Sequence, residues 1–450
     1  MFKNNFSSKW MPLAICAALT VSFVGCSSDG DSETPETSAP APVITDAPTT
    51  DVPSEELFAS YKGVTADSIK IAVMLLDRKV LKETAGVDLN WGDNEGQYQE
   101  AIDAINENGG VFGRAIDPIY IYVNPLSPTG YDEACVRVLE VEEVFAVIGF
   151  VRPASAALCY AGTGDTPFLG YLTDITSDVI AEAQVSLIVT NPLPERIDRA
   201  LASAIAETGV LDGKKIAVIG NVESRNNLVT ERLSELGYEV ASATVTAGPT
   251  DDTVADATEF DALVQRWIAE GVNFIFDTAG LDRLLAAANR AGFEADWATN
   301  KGSILSASRF ESGATEAEVA RTVVVGEPAV ETLYESGHPQ TVECVDRWDR
   351  NHPDEKAFFY PGDEDIDNLT RIARSCSQMA IFKLIAEAAG ADLTSSSFTE
   401  AAKNLGSFEV ALMPFGSLGE GKSDAADSLT LFTWSSEKKD FLTGEIFNSN

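Results

Sequence analysis

The fifty residues 101–150 constrain the fold of this chain more than any other stretch. Apolar residues recur at helical spacing from Ala101 to Ile105. Asn108-Gly109-Gly110 then ends the helix, because glycine adopts the left-handed cap conformation without steric cost. The segments that follow are a buried strand, a helix and a second buried strand, at 116–123, 131–141 and 144–150. This order predicts parallel strands joined by right-handed crossovers.

The same alternation continues on both sides of this stretch and predicts an α/β protein with two similar doubly wound units. Further strands are predicted at 68–76, 167–171, 216–220, 239–246, 273–278, 295–299 and 322–326. Helices are predicted at about 153–160, 191–208, 226–236, 260–270, 281–291, 344–348 and 369–389. The tail is predicted to be rich in β-structure, with strands at 410–415 and 429–434 and a turn at 416–421.

The N-terminus has the features of a targeting segment that does not belong to the fold. Residues 1–25 combine Lys3 and Lys9 with an apolar run that is too short to span a bilayer comfortably. The run ends at Cys26 in a pattern that resembles the lipobox of bacterial lipoproteins, which implies cleavage before Cys26 and its lipidation. The alternative is an ordinary secretory signal with an incidental cysteine. Residues 26–60 are mostly polar and predict a disordered tether.

The cysteines and the charge narrow the class of protein further. Beyond Cys26 four cysteines remain, an even number that favours two disulfides in an exported protein. Of the three possible pairings we favour Cys135–Cys159 with Cys344–Cys376, because each bond then joins consecutive helical segments; buried free thiols are the alternative. The net charge of −38 makes nucleic acid an unsuitable partner, since such a surface repels phosphate.

Catalytic and cofactor-binding patterns do not stand out in the sequence. The two histidines, His338 and His352, lie in a polar segment far from any serine or cysteine motif. The acidic run 363–367 lacks the glycine and the closing glutamate of a calcium loop, so we interpret it as a solvated turn. An enzyme is therefore disfavoured, and no cofactor and no metal are predicted.

Four short sequence words belong to the scaffold and say little about a ligand. They are Asn106-x-x-Gly109-Gly110-x-x-Gly113-Arg114, Ala134-Cys135-Val136-Arg137-x-Leu139, Val144-Phe145-Ala146-Val147-Ile148-Gly149 and Lys215-Ile216-Ala217-Val218-Ile219. These words, and the order of the elements over about 66–442, resemble the type I solute-binding proteins of branched-chain amino acid ABC importers. The resemblance implies two Rossmann-like lobes joined by a hinge that the chain crosses three times.

The resemblance also implies where each lobe begins and ends. The crossings are expected near 188–191, 326–330 and 404–408. Lobe one is then 66–189 plus 329–405, and lobe two is 190–328 plus 406–442. Both predicted disulfides lie inside lobe one, which leaves the hinge free to open and close.

In doubly wound sheets, ligands bind beyond the carboxyl ends of the strands. In the first lobe these places contain three groups of candidate ligand-binding residues. The candidates are Trp91; Arg152 with Ser155; and Thr173 with Asp174. Each has a plain structural alternative: packing under a loop for Trp91, a solvated charge for Arg152, and turn formation for Thr173 and Asp174.

Lobe two supplies the second half of the predicted site. Amino acid binders of the resembled family hold the ligand's ammonium with an acid at a place where this chain has Lys301. Asn221, Glu223 and Arg225 occupy the first ligand loop of this lobe. Together with Arg152, the cations Arg225 and Lys301 argue against a standard α-amino acid and favour an anionic or polyol-like solute.

The resemblance therefore implies a function. A small polar or anionic solute, such as an amino acid-like molecule, an amide or an organic acid, would be clamped between the lobes and delivered to the permease and ATPase subunits of an ABC importer. The protein would be an extracytoplasmic monomer anchored to the outer face of the bacterial cell membrane by lipid, or periplasmic. The alternative is a ligand-sensing lipoprotein that reports to a membrane signalling partner.

Overall fold

The computed structural model describes residues 57–450 apart from 90, 154, 174, 248–252, 280–281, 301, 306–309, 311–312 and 358–367. The predicted signal segment, the lipidation site Cys26 and most of the tether therefore lie outside the described residues. So do two predicted site residues, Asp174 and Lys301. Within the described part, no helix is both long and apolar enough to cross a bilayer.

In the described part of the chain, fourteen strands form two large sheets and one hairpin. In chain order the strands are β1 Ser68–Leu76, β2 Ala115–Val123, β3 Ala146–Phe150, β4 Phe168–Tyr171, β5 Leu187–Val189, β6 Ile216–Gly220, β7 Val240–Val245, β8 Phe274–Asp277, β9 Asp296–Thr299, β10 Thr322–Gly326, β11 Gly406–Val410, β12 Met413–Leu418, β13 Ser428–Ser435 and β14 Asp440–Asn448.

The helices alternate with the strands through most of the chain. They are α1 Arg78–Val80, α2 Asn94–Glu107, α3 Gly130–Val136, α4 Ser155–Leu158, α5 Ser177–Ala181, α6 Pro194–Glu207, α7 Glu223–Glu235, α8 Thr253–Glu270, α9 Asp282–Ala291, α10 Glu316–Val319, α11 Val330–Glu335, α12 Pro339–Asn351, α13 Asn368–Ala389 and α14 Ser395–Lys403. Short π-helical segments continue three of the helical stretches, at 81–85, 137–142 and 159–163, and a 3-10 turn lies at 302–305.

The first sheet is parallel throughout, in the order β2-β1-β3-β4-β5. Helices cover both of its faces, so its central strands are apolar along their length, as in β1. Gly110 ends the preceding helix at a φ of +66°, and a Cβ there would lie 2.0 Å from the carbonyl oxygen of Arg114. The strand–helix–strand unit predicted for 101–150 is confirmed, including its double-glycine stop.

The second sheet has the order β14-β13-β10-β9-β8-β6-β7. Strands β10, β9, β8, β6 and β7 are parallel to one another. The last two strands of the chain, β13 and β14, extend the sheet in antiparallel orientation. Apolar clusters on both faces contain the large side chains Trp267 and Phe276. The two α/β lobes predicted from the sequence are therefore present, whereas β14 was not predicted as a strand.

Both predicted disulfides are confirmed. Cys135 and Cys159 are joined, as are Cys344 and Cys376. The first bond links α3 to the segment after α4, and the second links α12 to α13. Each bond thus ties elements that pack on the first sheet or beside it.

The tail differs from the expectation in a second respect, besides β14. The predicted single strand at 410–415 is a hairpin of β11 and β12 that turns between Val410 and Met413. Apolar side chains of this hairpin pack into the core of the first sheet, and the chain joins the second sheet only at Ser428. The sequence analysis expected the chain to return to lobe two at 406. Val410 and Leu418 are instead buried against the first lobe, so the hairpin packs there.

The first and third passages between the sheets run side by side. The amide of Val189 donates to the carbonyl of Ser423 at 2.9 Å, and the amide of Ala425 donates to the carbonyl of Val189 at 2.8 Å. Arg196 pairs with the buried carboxylates of Asp424 and Asp427, each at 2.5 Å. This buried ionic cluster fixes the start of the second lobe to the strand that enters it.

Arg114, from the sequence word that ends in Gly-Arg, is fully buried in the first lobe. Its guanidinium donates to three backbone carbonyls, those of Thr65 at 2.8 Å, Ala391 at 3.0 Å and Phe58 at 3.0 Å. One side chain therefore ties the start of the described chain to the end of α13 and to the first sheet.

Candidate functional site

The carboxyl ends of neighbouring strands in the first sheet carry a cluster of aromatic side chains. Phe150 ends β3 and Tyr171 ends β4, and the two residues are register partners. Their rings stack with centroids 6.3 Å apart, and the ring of Trp91 meets Phe150 edge-on, also at 6.3 Å. This edge of a doubly wound sheet is where ligands bind.

Two arginines of α13 cover this cluster. The Cζ atom of Arg371 lies 3.8 Å from the centroid of the Trp91 ring, and that of Arg374 lies 4.1 Å from the centroid of the Tyr171 ring. The arginines are three residues apart and so share one face of the helix. Such cation–π contacts engage the charge of a guanidinium and not its N–H donors. We call Trp91, Phe150, Tyr171, Arg371 and Arg374 the aromatic–arginine cluster.

The charge of Arg374 is incompletely compensated within the described part of the chain. Arg374 is half-buried, makes no ion pair there, and its Nε is buried without a hydrogen-bond acceptor. This charge interacts electrostatically with Glu327, which lies just after β10. Burial raises the pKa of Glu327, and the positive charge of Arg374 partly opposes that shift. A half-buried cation in this state costs free energy, so the position favours an incoming anion.

Buried hydrogen bonds among amide and hydroxyl side chains support the aromatic–arginine cluster. The amide nitrogen of Gln97 donates to the backbone carbonyl of Trp91 at 2.8 Å and to the Oδ1 of Asn368 at 2.7 Å. The hydroxyl of Tyr98 donates to Gln378 at 2.6 Å. Burial raises the pKa of Tyr98 to about 12, although Arg374 and Arg371 act in the opposite direction. The network therefore fixes the Trp91 loop and the first turns of α13 in place.

Unsatisfied polar atoms surround the same edge. The Oδ1 of Asn94 and the Oγ1 of Thr173 are buried and make no hydrogen bond among the described residues. A small cavity of about 20 Å³, room for roughly one water molecule, lies between Asn94 and the aromatic–arginine cluster. Buried polar groups are normally satisfied, so these atoms are consistent with a site that is completed by a polar ligand.

The predicted residues of the first lobe fall into different environments. Trp91 is part of the aromatic–arginine cluster. Thr173 follows β4 at the same edge and is half-buried. Arg152 and Ser155 are exposed at the start of α4. Their roles in ligand binding stay predictions, as does that of Asp174.

One of the two predicted cations of the second lobe, Arg225, is paired within the protein. Arg225 donates to both carboxylate oxygens of Asp198, from Nε at 2.6 Å and from Nη2 at 2.7 Å. Asp198 is fully buried and also accepts from the amide of Asn300. Asn221 and Glu223 are exposed at the start of α7. Arg225 therefore has a structural role in this state, while the binding roles proposed for these residues stay predictions.

The sequence-based prediction missed Arg371 and Arg374. One signal was available: both lie in the first two turns of α13, where the positive end of the helix dipole disfavours cations. Two arginines placed against the dipole indicate that something other than helix stability selects them. Their aromatic partners could not be foreseen, because these lie 200 or more positions earlier in the chain.

Comparison with known proteins agrees with this architecture. Solved structures with the same fold include a Desulfitobacterium hafniense ABC transporter substrate-binding protein in complex with Leu (16% identity, TM-score 0.59, 84% of this chain and 100% of that one). Another is an R. palustris ABC transporter solute-binding protein in complex with 4-hydroxybenzoate (14%, TM-score 0.58, 85% and 97%). A third is the leucine-, isoleucine-, valine-, threonine- and alanine-binding protein of Brucella ovis (16%, TM-score 0.59, 85% and 96%). No curated protein sequence matches the chain.

The family itself is shown by a sequence model. The model of the periplasmic binding proteins matches residues 98–439, which is most of the chain. The chain therefore belongs to the periplasmic binding protein family, with the type I fold of two α/β lobes. Membership confirms the predicted class: an extracytoplasmic solute-binding protein and not an enzyme.

Proposed function

We propose that the protein captures a small anionic solute between its lobes and delivers it to the permease and ATPase subunits of an ABC importer. The observation that carries the proposal is Arg374, a half-buried cation that makes no ion pair among the described residues and lies on Tyr171 at the carboxyl edge of the first sheet. The ligands named for two of the similar structures, Leu and 4-hydroxybenzoate, both carry a carboxylate, and this chain's cluster suits the same group.

The clamp needs two bodies that move about the hinge. We propose the predicted lobe bounds, 66–189 plus 329–405 and 190–328 plus 406–442, with one change: the hairpin 406–418 belongs to lobe one, because its apolar residues are buried there. A solute on the aromatic–arginine cluster would be enclosed when lobe two brings Asn221, Glu223 and Asn300 toward it. Closure would exclude water and strengthen the contact between carboxylate and guanidinium.

A screen of solutes with a readout of closure tests the proposal. The purified protein is mixed with carboxylates, amino acids, amides and polyols, and the melting temperature is measured together with the radius of gyration in solution. A carboxylate should raise the melting temperature and reduce the radius of gyration. Saturable binding of neutral polyols alone, with no carboxylate bound, would contradict the anion-binding part of the proposal.

Membrane attachment is the second part of the proposal. We propose that Cys26 carries the lipid anchor, which places the protein on the outer face of the membrane and beside its permease. The Cys26→Ser variant should be released into the soluble fraction of cells, whereas the wild-type chain should partition with membranes. A Cys16→Ser variant is the matched control, because Cys16 lies within the segment that cleavage removes. Membrane retention of the Cys26→Ser variant would refute the anchor.

A further inference from the structure

We infer that Gln378 of α13 is a positioning residue that couples the aromatic–arginine cluster to the first passage between the sheets. The inference rests on the proposed function, because it describes how solute capture at that site reaches the hinge. Gln378 follows Arg374 by four residues and so lies on the same face of the helix, one turn further on. It also lines the small cavity beside the cluster. Because its side chain is fully buried, Gln378 acts through its neighbours and not by touching the solute.

The side-chain amide of Gln378 is hydrogen-bonded at both ends. The hydroxyl of Tyr98 on α2 donates to its Oε1 at 2.6 Å, and its Nε2 donates to the Oγ1 of Thr190 at 3.2 Å. Tyr98 and Thr190 are themselves buried. Breaking either bond would leave a polar atom unsatisfied away from water, so the amide has little freedom to turn. Gln378 therefore holds Thr190 at a fixed place relative to α2 and α13.

Thr190 belongs to the first passage and is tied to the strand that carries Tyr171. The amide of Thr190 donates to the carbonyl of Gly170 at 2.9 Å. The side chain of Asn191 accepts from the amide of Leu172 and donates to its carbonyl, both at 3.0 Å. Tyr171, a member of the aromatic–arginine cluster, thus lies between two residues that are bonded to the passage. A displacement of Tyr171 on solute binding would be transmitted to Thr190 and Asn191.

The same face of α13 interacts with the second passage through charge. Glu327 lies between β10 of the second sheet and α11, which packs with α12 and α13. Burial raises the pKa of Glu327, and the positive charge of Arg374 partly opposes that shift. A solute carboxylate on Arg374 would neutralise this cation and so weaken its field at Glu327. One turn of α13 therefore reaches two passages, through the charge of Arg374 and through the hydrogen bonds of Gln378.

Hydrogen–deuterium exchange of the unliganded protein tests the coupling without any solute. Gln378→Leu removes both hydrogen bonds of the amide, and Thr190→Val removes one of them at nearly the same volume. Each variant should speed exchange in peptides that contain Val189 and Ala425, whose amides bridge the first and third passages, by about threefold or more. Exchange within β1 should not change. Thr322→Val is the matched control, because it removes a buried hydroxyl at the end of β10 that is farther from the second passage.

Solute affinity provides the second readout. Benzoate, hexanoate and leucine are titrated calorimetrically into the wild type and each variant. A residue that sets the hinge equilibrium should change the affinity for every probe that binds by the same factor, whereas a residue that contacts the solute changes the relative affinities. Adding Thr190→Val to Gln378→Leu should have little further effect, because the bond between the two side chains is already lost.

The outcomes that overturn the inference are separate from failure of the proposed function. Unchanged exchange at both passages overturns it, and so does faster exchange throughout the first lobe, which is the mark of general destabilisation. Affinity factors that differ from probe to probe also overturn it and would assign Gln378 to solute recognition. Each of these results leaves the proposed function standing. If none of the three probes binds, the exchange measurement alone decides the inference, and the wider solute screen decides the proposed function.

Discussion

Two half-buried arginines, one in each lobe, differ in how the protein compensates their charge. Arg225 in the second lobe has both oxygens of the buried Asp198 within 2.7 Å. Arg374 in the first lobe has the π-face of Tyr171 and a buried Nε that finds no acceptor in the described part of the protein. Both residues lie in α/β lobes of the same design, so the difference arises from local chemistry and not from architecture.

The difference separates a cation that is paired within the fold from one that we propose is available for a solute. A buried charge whose partner belongs to the same chain is satisfied at all times, and its loss is felt as instability. A charge whose partner is missing costs stability until a ligand arrives, and its loss is felt as weaker binding. Sequence inspection alone ranked Arg225 as a ligand residue and did not single out Arg374.

The largest expected effect is on the structural pair. Asp198→Asn should lower the free energy of unfolding by about 3–5 kcal/mol, because it leaves Arg225 buried without its counter-charge. Urea unfolding followed by circular dichroism measures the change. Asp178→Asn, at an exposed position on α5, is the matched control and should change stability by less than about 0.5 kcal/mol. Equal stability of the two variants would mean that the Arg225–Asp198 pair does not support the fold.

At Arg374 we expect a smaller effect on stability and a larger effect on solute affinity. Arg374→Met should cost no more than about 1 kcal/mol of stability, since the lost cation–π contact is offset by removal of an unsatisfied buried donor. Affinity for the solute should nevertheless fall about tenfold or more, because a charged hydrogen bond is lost. Unfolding and calorimetric titration on the same preparation provide both numbers. A large loss of stability would instead assign Arg374 to the fold.

The smallest expected effect is the contribution of Glu327 to the pH dependence of stability. Because burial raises the pKa of Glu327 in the folded protein, the folded state binds its proton more tightly than the unfolded state does. Stability from this group is therefore complete below its ordinary pKa of 4.5 and is lost as the pH rises through the raised value. Glu327→Gln should remove that loss, so the variant gains stability relative to the wild type as the pH increases above 4.5. A stability difference that does not vary with pH would exclude ionisation of Glu327 as its cause.

The fold was largely predictable because its signals are local. Apolar runs ending at glycine, as at Gly149, mark strands that a parallel sheet buries on both faces. The disulfides were predictable for a related reason: each joins helical segments that are close in the chain, with 24 and 32 residues between the cysteines. Family resemblance then supplied the two lobes.

The site was less predictable because its contacts are distant in the chain. Trp91 was singled out from its place beyond β1. Its partner Arg371 comes much later in the chain, after the main segment of the second lobe. The pairing of Arg225 was not predicted, because its partner, Asp198, belongs to the preceding helix, and an isolated arginine at a loop gives no sign of such a pair. The hairpin of β11 and β12 had the same ambiguity: its apolar residues indicate burial but not which core receives them.

The three carbonyl bonds of Arg114 have a mechanical consequence. They fasten Phe58 and Thr65 to the body of the first lobe, so a pull applied upstream of Leu57 loads that lobe directly. The load does not pass through the hydrogen-bonded passages at Val189 and Ser423. Under the proposed anchoring and hinge, the second lobe is therefore the one that moves relative to the membrane, and a docked partner would detect the solute through that movement.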